Sequence, residues 1–253
     1  MRYHPFSWRE GVPTSTNILG KNEKGEIVDE RGIRWKPSFK EGHPNDCDLN
    51  QILKKVKDKT PEWLVFVAIA EDELGIVRKL VEDPDLAKVW KVINPSLELI
   101  RSVRKVNELF EVLQCADYLI VNEQEAADLV GSKAPAGWLC DLADICRGNV
   151  IVTLAEKGVV MRERNGNVLF HPAFEVDVED LTGAGDTFNA GFLSVLCQAE
   201  KPEEKHQEAL CTGCAAAAVM VTKKGGGVPI KKCEVDNLRR EYKNCCSANP
   251  AAP

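Results

Sequence analysis

An α/β fold, a mainly parallel sheet with helices on both faces, is predicted by three features of the sequence. The run Trp63-Leu64-Val65-Phe66-Val67-Ala68-Ile69 is continuously apolar, as suits a parallel strand buried on both sides. From Leu49 onward, runs of this kind alternate with segments whose apolar residues recur at helical spacing. Further on, Gly183-Ala184-Gly185 makes a small turn directly before Asp186 to Leu193, which reads as the start of a buried helix.

In chain order, residues 1–48 are turn-rich and poorly periodic, with a strand at Val12 to Leu19, a turn centred on Lys24-Gly25 and a returning strand from Ile27. The regular pattern then gives a helix at Gln51 to Lys57, the strand Trp63 to Ile69, an amphipathic helix at Glu73 to Glu82 and a strand at Trp90 to Asn94. A helix around Lys105 to Leu113, a strand at Tyr118 to Val121, helices at 123–130 and 137–146 and a strand at Val150 to Leu154 complete the β-α alternation. Right-handed crossovers between parallel strands place helices over the sheet and ligands at the carboxyl ends of the strands. Ala155 to Gly158 turns the chain into Val159-Val160-Met161, and Arg164-Asn165-Gly166-Asn167 is a second hairpin turn leading to extended chain at Val168 to Val178. A helix rich in small residues runs from Glu208 to Thr222, and the Ser-, Ala-, Asn- and Pro-containing tail at 243–253 is expected to be disordered. No repeat or linker divides the chain, so a single domain over 1–253 is expected.

Composition narrows the function classes. The 253 residues are 44% hydrophobic and 28% charged, ordinary for a globular protein with a substantial core. A formal charge of −6 argues against a nucleic-acid or membrane surface, which needs clustered Lys and Arg, and so points to small-molecule partners. With neither an N-terminal apolar h-region nor an apolar run of bilayer length, the expected location is the cytoplasm and the ten cysteines are expected to be reduced. Cys211-x-x-Cys214 has a metal-like spacing, but it sits among small residues at helical spacing and has no second ligand pair, so zinc is not expected.

The chemistry concentrates in Asp180 to Leu193. A turn at Gly183-Ala184-Gly185 before a helix aims backbone N–H groups and the positive helix end outward, which makes an anion site. Glycine, having no Cβ, lets a phosphate approach the main chain at Gly183 and Gly185. Asp186 in the same loop repels a phosphate, so its presence makes sense if it takes a proton from a nucleophile attacking phosphorus. The alternative is a simple helix start with Thr182 or Asp186 as N-cap. At a strand end, Asn122 with Glu125 three residues on is both a ready helix start and a polar pair facing the ligand crevice.

The whole run from Asp180 to Phe188 closely resembles the C-terminal signature of the ribokinase-like (PfkB) carbohydrate kinases, D-T-x-G-A-G-D-x-F, with Leu181 in place of the usual small polar residue. The resemblance covers roughly residues 12–240 and implies a ribokinase-like fold, with ATP, Mg²⁺ and K⁺ as cofactors. It makes Asp186 the base and the Gly183, Ala184 and Gly185 turn the anion hole. N-x-x-E is the family's motif for organising magnesium and phosphate, so Asn122 and Glu125 are expected to act mostly through metal-bound water. Thr153, Lys157 and Gly158 are similar to a T-x-G-x-x-G turn touching the nucleotide, though Ala155 stands where glycine is frequent and a plain hairpin connection explains the segment equally. Thr182 and the loop at Gly225 and Gly226 fall where the family binds nucleotide, and Asp180 where it holds a monovalent cation. Lys223-Lys224 before those glycines is also what a helix C-terminus would carry.

In the family, the Asn22-Glu23-Lys24-Gly25-Glu26 type of turn lies about a third of the way along the chain, and no Gly-Gly occurs here before Gly225. The resemblance therefore implies that the first core strand, the lid strands and the sugar-holding motif are missing. The apolar edge this leaves favours self-association, so a homodimer is among the expected partners. Two readings follow: an ATP-dependent kinase acting on a sugar or nucleoside, or a non-catalytic or incomplete nucleotide-binding protein without an acceptor site.

Overall fold

In a computed structural model of the protein, the residues described are 61–248, apart from 72, 103–105, 132–134 and 226–227, together with 20–21 and 27–28. By backbone contacts the chain divides into two compact units, Met1–Ile52 and Leu53–Pro253. In the first, β1 (Gly20–Lys21) pairs antiparallel with β2 (Ile27–Val28), which begins where the returning strand is predicted. The predicted strand at 12–19, the turn at Lys24-Gly25 and the helix at 51–57 lie outside the described residues.

The second unit carries a sheet of six described strands. They are β3 (Trp63–Ile69), β4 (Trp90–Pro95), β5 (Tyr118–Asn122), β6 (Asn149–Thr153), β7 (Val159–Arg162) and β8 (Val168–His171), side by side in that order. The first four are mutually parallel, and the hairpins at 155–158 and 163–167 add β7 and β8 antiparallel. Helix α1 (Leu74–Val81) connects β3 to β4, α2 (Leu97–Arg101) and α3 (Val106–Gln114) connect β4 to β5, and α4 (Glu123–Val130) and α5 (Pro135–Ile145) connect β5 to β6. After β8 come α6 (Ala184–Leu196), α7 (His206–Val221) and α8 (Lys232–Ala248).

Strand order and crossover hand together decide which helix covers which face. When parallel strands follow one another across a sheet with crossovers of one hand, every crossover helix falls on the same side. Residues of α1 to α5 accordingly share one core with Ile93, Leu119, Val121, Val150 and Val152, whereas α6, α7 and Val235 of α8 share the other with Val92, Tyr118, Ile120 and Ile151. Alternate residues of β5 and β6 thus face opposite cores, which is why these strands read as continuous apolar runs.

Two helices were not foreseen. Ser96 accepts from the Leu99 N–H at 3.1 Å and starts α2 in a segment too short to show a period. Helix α8 corrects the expected tail: it runs through Cys245 and Cys246 to Ala248, because Lys232 to Ala248 contains no Gly or Pro to stop it. Residues 249–253 lie outside the described residues.

Helices α6 and α7 approach closely because each carries a glycine at the contact. A Cβ on Gly191 would meet Ala216 Cβ at 2.8 Å and the Thr212 carbonyl at 2.9 Å, and one on Gly213 would meet the Phe188 ring at 2.8 Å. At the amino ends of the strands, Tyr118 hydroxyl and His206 Nε2 lie 3.0 Å apart and His206 Nδ1 reaches Glu163 Oε1 at 2.6 Å. This buried chain ties the start of α7 to β5 and to the β7–β8 turn. Seven cysteines are described as free thiols, among them Cys146 and Cys214 in the interior. Among the described residues no helix is long and apolar enough to cross a membrane.

The glycine contact yields a stability prediction. Gly191→Val forces bulk against the Thr212 backbone and is expected to destabilise the fold by about 1–3 kcal/mol, read as a lower midpoint in urea denaturation.

Candidate functional site

The backbone pairing of β4 with β5 stops after Ile93↔Leu119, while β5 and β6 remain paired through Asn122↔Thr153. Beyond that point the carboxyl ends of the strands open a cleft of about 310 Å³. Its walls are the strand ends at Ala68, Asn94-Pro95, Ile120 to Asn122 and Thr153, Glu125 of α4, and the start of α6 from Gly183 to Asp186 with Leu181 before it and Asn189 after it. Ala68 has φ +52° at the irregularity in the β3–β4 pairing, a left-handed backbone that costs a residue with a Cβ about 1–3 kcal/mol and recurs at ligand sites.

The start of α6 is built by its backbone. Gly183, in the left-handed region at φ +82°, is the N-cap and makes no side-chain cap bond, so neither Thr182 nor Asp186 plays that part. Ala184 N–H donates to the Leu181 carbonyl at 3.2 Å, and Thr187 donates to the Gly183 carbonyl through its N–H at 2.9 Å and its hydroxyl at 2.7 Å. The N–H groups of Gly185 and Asp186 between them have no partner among the described residues, which leaves the helix dipole open towards the cleft. The Asp186 side chain is exposed in the same turn, and Leu181 stands 72% exposed at the rim.

Asn122 and Glu125 form a complete capping box at the start of α4. Asn122 Oδ1 accepts from the Glu125 N–H and Glu125 Oε2 from the Asn122 N–H, each at 2.9 Å. Burial raises the Glu125 carboxyl above its ordinary range, partly opposed by the Asn122 hydrogen bonds. The pair thus has one carboxylate oxygen and one amide end left for a ligand.

The remaining predicted residues sit around the cleft. Asp180 bridges two loops, its Oδ1 accepting from Thr182 N–H at 2.9 Å and its Oδ2 from Gly225 N–H at 3.0 Å. Those bonds, with Thr182 first, hold its carboxyl below the ordinary range. Lys157 reaches back to Glu123 at 3.5 Å. Gly158, at φ +106°, is required locally, since a Cβ there would meet the His171 carbonyl at 2.1 Å. Ala155 holds φ +48°, which explains a glycine preference at that position. Gly226 lies outside the described residues.

One cavity therefore unites Asn122, Glu125, Thr153, Gly183, Ala184, Gly185 and Asp186, whereas Asp180, Thr182, Lys157, Gly158 and Gly225 do not line it. Ala68, Asn94, Ser96 and Asn189 line it too and escaped the sequence reading. The available signal was Asn94-Pro95-Ser96, a polar break directly after a buried strand. No Lys or Arg is among the described lining residues; the hydrogen-bond donors they present to the cleft include backbone N–H groups and side-chain amides. Among the described residues no group of three or more His, Cys, Asp or Glu is arranged to hold a metal ion directly.

The Asp180 bridge has a pH signature. A carboxyl whose folded-state titration is depressed stabilises the fold above its unfolded value, about 3.9, and that stability is lost as pH falls through the lower folded value. Asp180→Asn is expected to flatten the pH dependence of unfolding below about pH 4 and to speed amide exchange at Gly225, read by denaturation series and hydrogen exchange.

The family pattern described as "pfkB family carbohydrate kinase" matches residues 87–233, more than half of the chain. Over 120 residues the chain is 38% identical to a ribokinase of Haemophilus influenzae, an alignment covering 46% of this chain and 38% of that enzyme. An aminoimidazole riboside kinase from Salmonella enterica, solved with aminoimidazole riboside and an ATP analog, superposes at TM-score 0.60 with 24% identity, over 71% of this chain and 63% of that one. A fructokinase double mutant from Vibrio cholerae, in its fructose-, ADP- and potassium-bound form, superposes at TM-score 0.58 with 20% identity, over 70% of this chain and 60% of that one. At such identities the two structures establish the ribokinase-like fold, and this chain spans less than two thirds of each of the three relatives. The open helix start behind Gly183, the strand-end cleft and the match over residues 87–233 agree: the chain belongs to the pfkB family of carbohydrate kinases.

Proposed function

We propose that the chain acts in ATP-dependent transfer of the γ-phosphoryl group to a hydroxyl of a sugar or nucleoside, with Asp186 as base and the Gly183–Gly185 turn as anion hole. The observation that carries this reading is the meeting, in one cleft, of an uncapped helix start, the Asp186 carboxylate and the Asn122–Glu125 pair. The unpaired amides of Gly185 and Asp186 donate to oxygens of the transferred group, where negative charge is densest during transfer. Asp186 accepts the proton of the attacking hydroxyl as its oxygen bonds to phosphorus and the bond to ADP breaks.

Charge balance argues for a metal. A triphosphate entering a cleft that already holds Glu125 and Asp186, with no cationic side chain among the described lining residues, needs neutralising charge from elsewhere. Asn122 and Glu125 would hold Mg²⁺, mostly through water, and the ion would supply that charge. The donor set fits this outer role, since the capping box leaves these two side chains few free ligand atoms. The Asp180 bridge, at the start of the signature, is the position we assign to a monovalent cation such as the potassium named for the fructokinase neighbour. Thr182, Lys157, Gly158 and the loop at Gly225 and Gly226 are assigned to the nucleotide side.

ATP or ADP with Mg²⁺ is expected to bind more tightly than NAD in calorimetry, and equal or stronger NAD binding would remove the reading. Asp186→Asn retains the size of the side chain but cannot take the proton, so transfer to ribose, fructose or adenosine is expected to fall by about 10²–10⁴-fold while nucleotide affinity holds or rises. A variant with near-normal turnover sinks the assignment of the base. Nucleotide binding without turnover on any acceptor tried assigns the chain instead to the non-catalytic reading.

A further inference from the structure

The floor of the cleft holds two side-chain amides that the reaction above does not use. Asn189 lies in α6 three residues after Asp186, on the same side of the helix, and is only 6% exposed. Its Nδ2 donates to Asn94 Oδ1 at 3.4 Å, and Asn94 Nδ2 donates to the Ile120 carbonyl at 2.9 Å. The orientation of Asn94 is not arbitrary: a carbonyl can only accept, so Asn94 must turn its Nδ2 to Ile120 and is left with Oδ1 for Asn189. The bond to Ile120 also falls where the β4–β5 backbone pairing has just ended, so the side chain takes over from the ladder at the point where the two strands part.

We propose that Asn94 and Asn189 are positioning residues, a two-amide tether that fixes the first turn of α6, and with it the Gly185 and Asp186 amides and the Asp186 carboxylate, against the carboxyl ends of β4 and β5. The first turn needs such a tether because, among the described residues, no other hydrogen bond runs from it to the sheet: Gly183 has no side-chain cap, and Ala184 and Thr187 bond only within the turn itself. The close packing of α6 on α7, through Gly191 and through Gly213 against Phe188, holds the helix from Phe188 onward, and the tether acts on the turn before it. The mechanical part of this inference stands on the hydrogen bonds alone, and its catalytic consequence rests on the proposed function.

The test separates the two. In hydrogen–deuterium exchange followed by mass spectrometry, Asn94→Ala and Asn189→Ala are each expected to speed exchange across residues 184–190 by roughly two- to tenfold, the equivalent of one lost side-chain hydrogen bond, with the last turns of α7 unchanged. The double variant is expected to go no further than the singles, because both remove the same tether. Calorimetry with ADP and Mg²⁺ is expected to show one shared loss of affinity in the singles and the double, which a general loss of stability would not produce. Should an alanine variant fail to fold, Asn189→Leu, which keeps the volume but cannot donate to Asn94, carries the same expectation. Unchanged exchange at 184–190, or effects that multiply in the double variant, overturns the tether. Absence of nucleotide binding by the unmodified chain overturns the proposed function and leaves the exchange result to decide the tether by itself.

Discussion

A helix can offer its N-terminus to an anion only if its first N–H groups are left unpaired and the helix is held in place by other means. Helix α6 meets both conditions. Gly183 takes a left-handed backbone that a residue with a Cβ adopts only at a cost, and in doing so it starts the helix without a side-chain cap. The positive end of the helix therefore faces the cleft instead of being spent on a serine or aspartate cap. What keeps the helix there is its length of buried contact, with Phe188, Phe192, Leu193 and Leu196 in the core and glycines at 191 and 213 drawing it against α7.

The electrostatics of the cleft follow from that choice. With backbone N–H groups as the positive elements and Glu125 and Asp186 as the negative ones, the site is poor in fixed cationic charge. Under the proposed function, that balance favours a nucleotide that brings its own cation over a free phosphate. The Asp180 bridge between Thr182 and Gly225 adds a second constraint, since it ties the signature turn to the glycine loop that follows α7.

Opposite ends of the sheet carry different work. At the amino ends of the strands, Trp63, Trp90 and Tyr118 lie with ring centroids 5.5–6.0 Å apart, and Tyr118 continues into His206 and Glu163. Tyr118 and His206 are buried and bonded to each other, Glu163 reaches from there to the partly exposed hairpin turn, and burial pushes the Tyr118 hydroxyl well above its ordinary range. This is a cementing arrangement. At the carboxyl ends the strands part, Ala68 is held in a left-handed backbone and amide side chains replace backbone pairing, so the same strands that are rigid below are open above.

Much of this was written in the chain. Continuous apolar runs identify the parallel strands, and in Tyr118 to Val121 both faces are indeed buried. Trp63 to Ile69 departs from that expectation, because it lies at the end of the described sheet and leaves Val65 and Val67 each 42% exposed. The glycine turn before Asp186 was legible as a helix start because its geometry is local to a few consecutive residues. The Asn122–Glu125 capping box was legible for the same reason. Interactions between residues distant in sequence were not. The side-by-side strand order, the two cores divided between α1–α5 and α6–α8, the 95-residue separation bridged by Asn94 and Asn189 and the Asp180–Gly225 bond leave no periodicity or motif to read. Helix α8 was missed although Val235, Leu238 and Tyr242 recur at helical spacing, because its overall composition is polar and its apolar stripe is narrow; Val235 and Leu238 pack it against the second core. Sequence by itself determined the elements and the local chemistry of the signature, since propensity and turn geometry act over neighbouring residues. The tertiary structure alone decided which strand ends part to form the cleft and what holds α6 above it, because those depend on contacts that folding brings together.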